Sequence, residues 1–430
     1  MQVMSAEREP TTILVVDDSS SYRFLLSSLL KKWGYRVFEA DQGEKALEVL
    51  QQQPIHMVIS DWEMPVMDGL ALCRAIRHRN ATPYVYLILV TARHSVEDLT
   101  AGIEAGADDF LSKPVNASEL QARLYAGQRI LKLEANLALR NAKLVQAWQQ
   151  MEADLQAAAR LQHSLLPARN VSLQGFSIDW LFIPSAYVSG DMFQFFALPD
   201  HHIGFYCIDV AGHGVTAAMH SLAVGRQFMH GRTVENFLAR TDDAGRAVIT
   251  PPHEVVSLLN QRFCYENDDV QSYFTMIYGV INTLDGRGRL CQAGHPTPFI
   301  VHADGATTSI GEGGGPVGLF DTLSWEDCAF TLQPGECLCL YSDGISECEN
   351  EESEQFGEAR LRALLGDNHA LPRAERFLQL ELALLEWRNV QLDAVDPQNG
   401  VKYGNSNLND DVSLLVIERT SSFVQQEEKP

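Results

Sequence analysis

Short apolar runs alternate with helical patterns from Ile13 to about Gly127, and this alternation constrains the fold more than any other feature. The runs ILVV, MVIS and YVYLILV have the length of buried strands, and stretches of helical period separate them. This arrangement is typical of βα repeats around a parallel sheet. We therefore predict an α/β doubly wound domain over residues 11–125, preceded by a flexible N-terminus of residues 1–10.

A long helical pattern without a break follows this domain. It begins at Asn116, with Glu119 in a capping position, and nothing stops it before Pro167. Apolar residues recur at every seventh position, as a helical pairing seam requires: Ile130, Leu137, Leu144, Met151, Ala158 and Leu165. We predict a coiled-coil helix over residues 126–168 that forms a homodimer. The second row of the seam contains the polar residues Glu134, Asn141 and Gln162, which weaken a pairing interface. A single helix lying on its own domains is therefore the alternative.

Short β-type runs with helical segments between them occupy the chain after Pro167, for example HIGFYCIDV, SYFTMIYGVIN and DVSLLVIE. This pattern predicts a layered α+β domain over residues 169–420. Its helices are expected at Gly214 to His230 and at His253 to Tyr265. The residues from Val390 to Asn409 are polar and rich in turn formers, and residues 421–430 form an acidic tail that we expect to be flexible.

Charge and composition exclude several classes of protein. The formal net charge of -23 disfavours nucleic acids and anionic membranes as partners. The N-terminus has no signal sequence, and the run YVYLILV is far shorter than the ~20 residues of a membrane-spanning helix. The 8 cysteines form no CxxC pair, so we expect reduced thiols. A soluble, cytoplasmic protein without nucleic-acid or membrane partners is therefore expected.

Three carboxylates follow strands of the first predicted domain. Asp17 and Asp18 come directly after ILVV, and Asp61 comes directly after MVIS. Parallel strands bring their carboxyl ends to the edge of the sheet where α/β domains bind ligands. Clustered carboxylates repel one another unless a hard cation lies among them, so the sequence predicts a Mg²⁺ site. Asp61 would then be able to attack a phosphoryl group bound to that cation.

The order of these motifs resembles response-regulator receiver domains. The resemblance rests on DD at Asp17 and Asp18, DWEMPVMDG from Asp61, TA from Thr91 and KP from Lys113. It implies that Asp61 accepts a phosphoryl group from a histidine kinase.

The same resemblance assigns roles to the residues around the phosphoacceptor. It implies that Asp17 and Asp18 hold Mg²⁺ together with the backbone carbonyl of Glu63. Lys113 would neutralise the phosphoryl oxygens, and Thr91 and Phe110 would form the switch pair. A new charge near -2 on the phosphorylated aspartate would attract the Thr91 hydroxyl and let the Phe110 ring turn inward.

The second predicted domain also places acidic residues at the ends of strand-like runs. They occur in the motifs VSGDMF, CIDVAGHG, LYSDG and NDDVSLLV: Asp191, Asp209, Asp343, Asp410 and Asp411. Carboxylates that arrive at strand ends can meet in one cleft. Two divalent cations held there, roughly 3.5–4 Å apart, could support hydrolysis of a phosphate monoester by in-line attack of water.

These motifs, with AARLQHSLLP, AGHPTPF and GPVGLF, are similar to metal-dependent PPM serine/threonine phosphatases of the bacterial sporulation and stress-response type. The resemblance covers Leu161 to Glu418 and implies an αββα sandwich with two Mn²⁺ or Mg²⁺ ions. By the resemblance, Asp209 bridges both ions, the Val210 carbonyl helps to hold one, and Asp343 with Asp410 holds the other.

Other residues are implied to have supporting roles. Asp191 would hold water around the ions, and Asp411 would support the ligand beside it. His213 is a candidate proton donor to the leaving serine oxygen, with a structural histidine in a glycine-rich turn as the alternative; His295 is a weaker candidate. Ser189 stands where the family commonly has a second glycine, and no phosphate-clamping arginine is evident.

The sequence thus predicts a response regulator whose phosphorylation controls a protein serine phosphatase. By resemblance, its substrate is a phosphoserine anti-sigma-factor antagonist. One alternative is a non-catalytic adaptor that binds a sigma factor or an antagonist protein, but such a protein should have lost the carboxylates that are present here. A diguanylate cyclase is disfavoured because Met192 follows Asp191, where the GGDEF motif needs an acidic residue.

Overall fold

The computed structural model describes residues 10–79, 83–92, 96–212, 214–229, 237–242, 245–266, 273–389, 395–396, 400–401 and 408–420. The chain divides into two compact units, Met1–Gln150 and Met151–Pro430. Among the residues described, no helix is both long and apolar enough to cross a membrane.

The first unit is built on a parallel sheet of five strands in the order β2-β1-β3-β4-β5. Side chains are buried on both faces of this sheet, for example Leu14 on one face and Val15 on the other. The doubly wound prediction is therefore confirmed. The elements are β1 (Thr12–Val16), α1 (Ser20–Lys32), β2 (Arg36–Ala40), α2 (Gly43–Gln52), β3 (Met57–Asp61), α3 (Gly69–His78), β4 (Tyr86–Thr91), α4 (Val96–Glu104), β5 (Asp109–Ser112) and the start of α5 (Ala117–Leu165).

Helix α5 contains 49 residues and confirms the unbroken helical pattern. The Asn116 side chain begins it by accepting hydrogen bonds from the backbone N–H groups of Ser118 and Glu119, at 2.8 and 3.3 Å. Along its middle, apolar side chains of the predicted seam are exposed, including Leu137 and Leu144. Exposed apolar residues that line one face of a helix are typical of interaction surfaces.

The second unit contains two antiparallel sheets that each bury both faces. One has the strand order β16-β13-β12-β9-β8 and the other β15-β14-β17-β20-β7-β6. The elements are β6 (Val171–Leu173), β7 (Phe176–Ile183), β8 (Met192–Leu198), β9 (His202–Val210), α6 (Val215–Met229), β10 (Ala239–Thr241), β11 (Ala247–Ile249), α7 (Pro252–Glu266), β12 (Phe274–Asn282), β13 (Arg287–Ala293), β14 (Phe299–Val301), β15 (Thr307–Ser309), β16 (Asp327–Thr331), β17 (Cys337–Tyr341), α8 (Asp343–Ser346), α9 (Glu358–Asp367), α10 (Arg373–Trp387), β18 (Val395–Asp396), β19 (Gly400–Val401) and β20 (Val412–Arg419).

Three apolar layers hold the second unit together, because side chains alternate between the two faces of each strand. Phe205 and Leu415 belong to the layer between the two sheets. Their neighbours Tyr206 and Leu414 point outward, the first into the layer with α6 and α7 and the second into the layer with α9 and α10. The order of layers is helix, sheet, sheet, helix, which confirms the predicted αββα sandwich.

Candidate functional site

The carboxylates of Asp17, Asp18 and Asp61 meet at the carboxyl edge of the parallel sheet. Strands β1 and β3 pair directly, so Asp17, which follows β1, lies near Asp61, the last residue of β3. Within the described residues, these three form the only group of acidic, histidine or cysteine side chains whose ligand atoms all lie within 4.8 Å of one another. Oxygen donors at this spacing suit a Mg²⁺ ion.

Lys113 joins this cluster from the end of β5. Its Nζ lies 2.6 Å from Asp61 Oδ2 and 3.2 Å from Asp17 Oδ2. Burial raises the pKa of Asp17, and the nearby Asp61 carboxylate adds to this, although Lys113 opposes it. Burial acts to lower the pKa of Lys113, but its hydrogen bond to Asp61 and the two carboxylates outweigh burial and raise it. A cation would relieve the cost of holding buried carboxylates together.

The predicted switch residues lie beside the cluster. Thr91 is buried at the end of β4, and its carbonyl accepts a hydrogen bond of 2.9 Å from the Lys113 backbone. The Phe110 ring packs against Trp62, with 6.4 Å between the ring centroids. Gly102 lies under both rings, and a Cβ there would be only 2.4 Å from the Phe110 ring. The switch role of this pair and the contribution of the Glu63 carbonyl remain predictions.

The carboxylates of the second unit come together from three elements. Asp209 lies next to the end of β9, Asp343 begins α8 directly after β17, and Asp410 lies shortly before β20. Strand β17 pairs with β20, which brings the last two together. Burial raises the pKa of Asp209 to about 8 and that of Asp343 to about 6, and the neighbouring carboxylates add to both shifts.

Asp191 is the most deeply buried member of this group. Burial raises its pKa well above the usual value, and the Asp209 carboxylate adds to the shift. Its Oδ2 is buried without a hydrogen-bond partner. The carbonyl oxygen of Val210 lies close by: a Cβ on Gly190 would be 3.0 Å from it. The carboxylate and carbonyl oxygens of this group are crowded and lack some hydrogen bonds, which suits ligands of divalent cations. Two cations would each take some of these oxygens, so the carboxylates need not all meet at one point.

Asp411 has a different role from Asp410. Its Oδ1 accepts a 2.7 Å hydrogen bond from the Ser185 backbone, and its Oδ2 accepts one of 2.8 Å from the Gly190 backbone. It therefore ties the loop of the VSGDMF motif to the start of β20, as expected of a supporting residue.

Two neighbours of the site were not predicted. Glu347 adds to the raised pKa of Asp209 and of Asp343, so its carboxylate lies near both. Its position four residues after Asp343, one helical turn away, could have indicated this.

Gln162, in the part of α5 that belongs to the second unit, makes a pair of hydrogen bonds with Ser189: Nε2 donates to the carbonyl at 2.7 Å, and Oε1 accepts from the backbone N–H at 3.0 Å.

Gln162 is 6% exposed, so this end of α5 packs against the second unit, to which it belongs. The signal was its polar side chain in the second row of the seam, a row that also contains Glu134 and Asn141.

The two histidine candidates have separate outcomes. His213 lies outside the described residues, so its role remains a prediction. His295 is buried, and burial lowers its pKa to about 3. Its Nδ1 lies 2.8 Å from the Thr275 hydroxyl, next in the sheet to Asp209. A neutral, buried imidazole of this kind is a packing element and a poor proton donor.

Comparisons with known proteins show which proteins the two units resemble. The SiaA-PP2C domain of Pseudomonas aeruginosa has the same fold, with a TM-score of 0.50 and 18% identity over 63% of this chain and 98% of that domain. Protein IcfG of Synechocystis sp. is 28% identical over 50% of this chain and 36% of its own length. The probable transcriptional regulator ycf27 of Porphyridium aerugineum is 36% identical over 31% of this chain and 55% of its own length. The chain thus spans about half the length of these curated relatives, or less.

Two family profiles match the chain. The response regulator receiver domain matches residues 13–125, which contain the cluster around Asp61. Stage II sporulation protein E matches residues 199–420, which contain Asp209, Asp343 and Asp410. The second match covers slightly more than half of the 430 residues. The chain therefore belongs to the Stage II sporulation protein E (SpoIIE) family, and it carries a receiver domain before the SpoIIE region.

Proposed function

We propose that this protein is a response regulator in which phosphorylation of Asp61 controls a metal-dependent protein serine/threonine phosphatase. The observation that carries the proposal is the meeting of Asp209, Asp343 and Asp410 from separate elements, close enough that Asp343 and Asp410 add to the raised pKa of Asp209 and Asp410 adds to that of Asp343. Such mutual repulsion costs stability unless cations occupy the site, and the αββα fold and the family membership support the same activity.

Different residues of the second unit would bind the cations, orient water and donate a proton. Asp209, Asp343 and Asp410, with the Val210 carbonyl, would hold two Mn²⁺ or Mg²⁺ ions, and Asp191 would orient water beside them. Bound cations would neutralise the phosphate ester and lower the pKa of the attacking water molecule. The two sheets fix the carboxylates before the substrate arrives, so little reorganisation is needed during the reaction. His213 is our candidate for protonating the leaving serine oxygen.

The first unit would receive the signal. A histidine kinase would supply the phosphoryl group to Asp61, with Mg²⁺ held by Asp17, Asp18 and the Glu63 carbonyl. Lys113 already lies 2.6 Å from the phosphoacceptor, in position to neutralise the added charge. Thr91 and Phe110 would then rearrange and change the surface that the receiver presents.

Helix α5 would carry the change to the second unit. Its exposed apolar seam supports pairing into a homodimer, and Gln162 near its end holds the Ser189 backbone, two residues before Asp191. A change in the pairing or rotation of the helix would therefore shift the loop that borders the metal site. Movement of α5 would in this way couple phosphorylation of the receiver to metal binding in the second unit.

The proposed substrate is a phosphoserine anti-sigma-factor antagonist, which the resemblance to sporulation and stress-response phosphatases supports. A non-catalytic adaptor remains the alternative. It is disfavoured because such a protein has no need to keep the costly carboxylate group of Asp209, Asp343 and Asp410.

The test is hydrolysis of a phosphoserine peptide by the full-length chain, with and without Mn²⁺ and with and without acetyl phosphate as phosphodonor. We expect metal-dependent turnover that Asp209→Asn and Asp343→Asn abolish, while Asp285→Asn, an exposed carboxylate elsewhere in the second unit, leaves it unchanged. Asp61→Asn should remove only the response to acetyl phosphate. Absence of turnover under every condition would reject the enzyme and favour the adaptor.

A further inference from the structure

A cavity of about 740 Å³ lies at the end of the five-stranded sheet that is far from Asp209. His202, the first residue of β9, lines it, and so do Val280 and Asn282 near the end of β12. Asp209 lies seven residues further along β9, which at about 3.3 Å per residue is roughly 23 Å away. The cavity is therefore separate from the proposed catalytic site.

Two arginines and one carboxylate, Asp285, line the cavity, which leaves it with a positive charge on a chain whose formal net charge is -23. Arg287 and Arg289 are two residues apart on β13, so they share one face of the sheet, and both line the cavity. Arg287 makes only a long ion pair with Asp285, at 3.7 Å, and its side chain is 80% exposed. Within the described part of the chain, Arg289 has no side-chain hydrogen bond or ion pair. Its guanidinium group is permanently charged and offers five donors.

The remaining wall is largely apolar. Val280 is 8% exposed and pairs with Arg289, so the two share one face of the sheet, and Val280 forms the floor together with Ala329. Ile249, Pro251 and Pro252 close one side. Pockets that bind small organic molecules have volumes of roughly 300–1,000 Å³ and combine apolar walls with a few placed polar groups. This cavity has both properties.

The nearby start of α7 does not supply the positive charge. The backbone N–H of His253 in its first turn already donates a 2.7 Å hydrogen bond to Asp327 Oδ1, and the His253 ring contacts the same carboxylate. The helix end is thus already capped by a protein anion. The arginines are the groups left to recognise a ligand.

We propose that this cavity binds a small organic anion with a flat apolar body and one phosphate or carboxylate group. The body would lie on Val280 and Ala329, and the anionic group would be held by Arg289, with Arg287 as a second and weaker contact. Thr250 and Asn282 offer hydrogen bonds at the rim. This site is independent of the proposed hydrolysis, because its residues take no part in the carboxylate cluster.

The test is calorimetric titration of the full-length chain in EDTA with adenosine monophosphate, 2-naphthoate and inorganic phosphate. EDTA prevents the phosphate groups from binding through metal ions at the two carboxylate clusters. We expect binding of adenosine monophosphate, 2-naphthoate or both at one site per chain, with inorganic phosphate alone much weaker. The two organic probes distinguish a phosphate ligand from a carboxylate ligand.

Arg289→Ala should weaken the binding by about tenfold or more, as loss of a charged hydrogen bond predicts. Arg289→Lys should recover part of it, and Arg140→Ala, an exposed arginine on α5, should have no effect. Retained hydrolysis of a phosphoserine peptide with Mn²⁺, or an unchanged circular dichroism spectrum, would show that the variants are folded. Failure of both organic probes to bind, or binding that Arg289→Ala leaves intact, would overturn the proposal.

Discussion

Gly344 lies directly against the backbone of Asp411. A Cβ on Gly344 would be 2.1 Å from the Asp411 carbonyl oxygen and 3.3 Å from the carbonyl carbon of Asp410. This close approach sets the start of α8 against the chain just before β20 and, together with the pairing of β17 and β20, brings Asp343 and Asp410 together. The LYSDG motif therefore needs glycine at position 344, because no side chain fits between the two backbone segments.

Gly344→Ala should separate the proposed metal ligands. We expect kcat/KM for a phosphoserine peptide to fall about 100-fold, the loss typical of a displacement of about 1 Å at a catalytic centre. Gly190→Ala should have a smaller effect, about tenfold, because its Cβ would be 3.0 Å from the Val210 carbonyl oxygen and a small shift can accommodate it. Initial rates at substrate concentrations well below KM, with Mn²⁺ held at one saturating concentration, measure kcat/KM for both variants. Wild-type activity in Gly344→Ala would contradict this account of the site.

Gln162→Ala should loosen the loop that carries Asp191. The substitution removes two hydrogen bonds to the Ser189 backbone, at 2.7 and 3.0 Å, and leaves two buried polar groups without partners. Each such loss costs about 1–3 kcal/mol, so we expect Mn²⁺ affinity to fall about tenfold or more. The measurement is the Mn²⁺ concentration at half-maximal activity. Gln156→Ala, an exposed glutamine on the same helix, is the matched control, and equal behaviour of the two variants would refute the positioning role.

Without metal ions, the stability of the second unit should depend on pH through Asp209. Its pKa rises from 3.8 to about 8 in the folded protein, so the folded state keeps a proton that the unfolded state loses. This contribution to stability is fully present below pH 3.8 and is lost as pH rises through about 8. The test is the free energy of unfolding, measured by urea denaturation in EDTA at pH 5 and at pH 8.

We expect the wild type to lose stability relative to Asp209→Asn between those two pH values, by about 1 kcal/mol per pH unit at most. Added Mn²⁺ should restore the wild type at pH 8 and not the variant. A stability difference between the two proteins that does not change with pH would show that the Asp209 carboxyl is not protonated in the folded state.

Phosphorylation of the receiver should change the fluorescence of Trp62. This side chain follows Asp61 directly, is 5% exposed and packs on the Phe110 ring, so a movement of Phe110 alters its surroundings. We expect acetyl phosphate with Mg²⁺ to change the emission, and Asp61→Asn to abolish the change. Trp62→Phe identifies the source among the 6 tryptophans. A response that survives Trp62→Phe would place the change elsewhere.

The exposed seam of α5 should determine the oligomeric state. Leu137 and Leu144 are 54% and 67% exposed in a single chain, seven residues apart on one helical face. The double variant Leu137→Glu, Leu144→Glu should convert a dimer to a monomer, because two carboxylates cannot be buried in a helical pair without partners. Analytical ultracentrifugation measures this. Replacing Arg140 and Lys143 by glutamate is the control, and a monomeric wild type would reject the dimer.

The sequence was sufficient for features that depend on local pattern. Alternating apolar runs predicted the parallel sheet, Asn116 marked the start of α5, and the position of Asp17 and Asp61 after buried strands predicted their meeting at one edge. These predictions succeed because strand and helix periods, caps and the order of a parallel sheet are properties of neighbouring residues. The motif order around Asp209, Asp343 and Asp410 similarly indicated a carboxylate cleft.

Only the tertiary structure decided how distant segments support that cleft. Asp411 binds the Ser185 and Gly190 backbones from more than 220 residues away, and Gln162 holds Ser189 across 27 residues. Neither contact has a local period or motif, because each depends on how the sheets and α5 pack. The sequence therefore indicates which carboxylates are candidates for the chemistry, while long-range packing decides their spacing, protonation and connection to the helix.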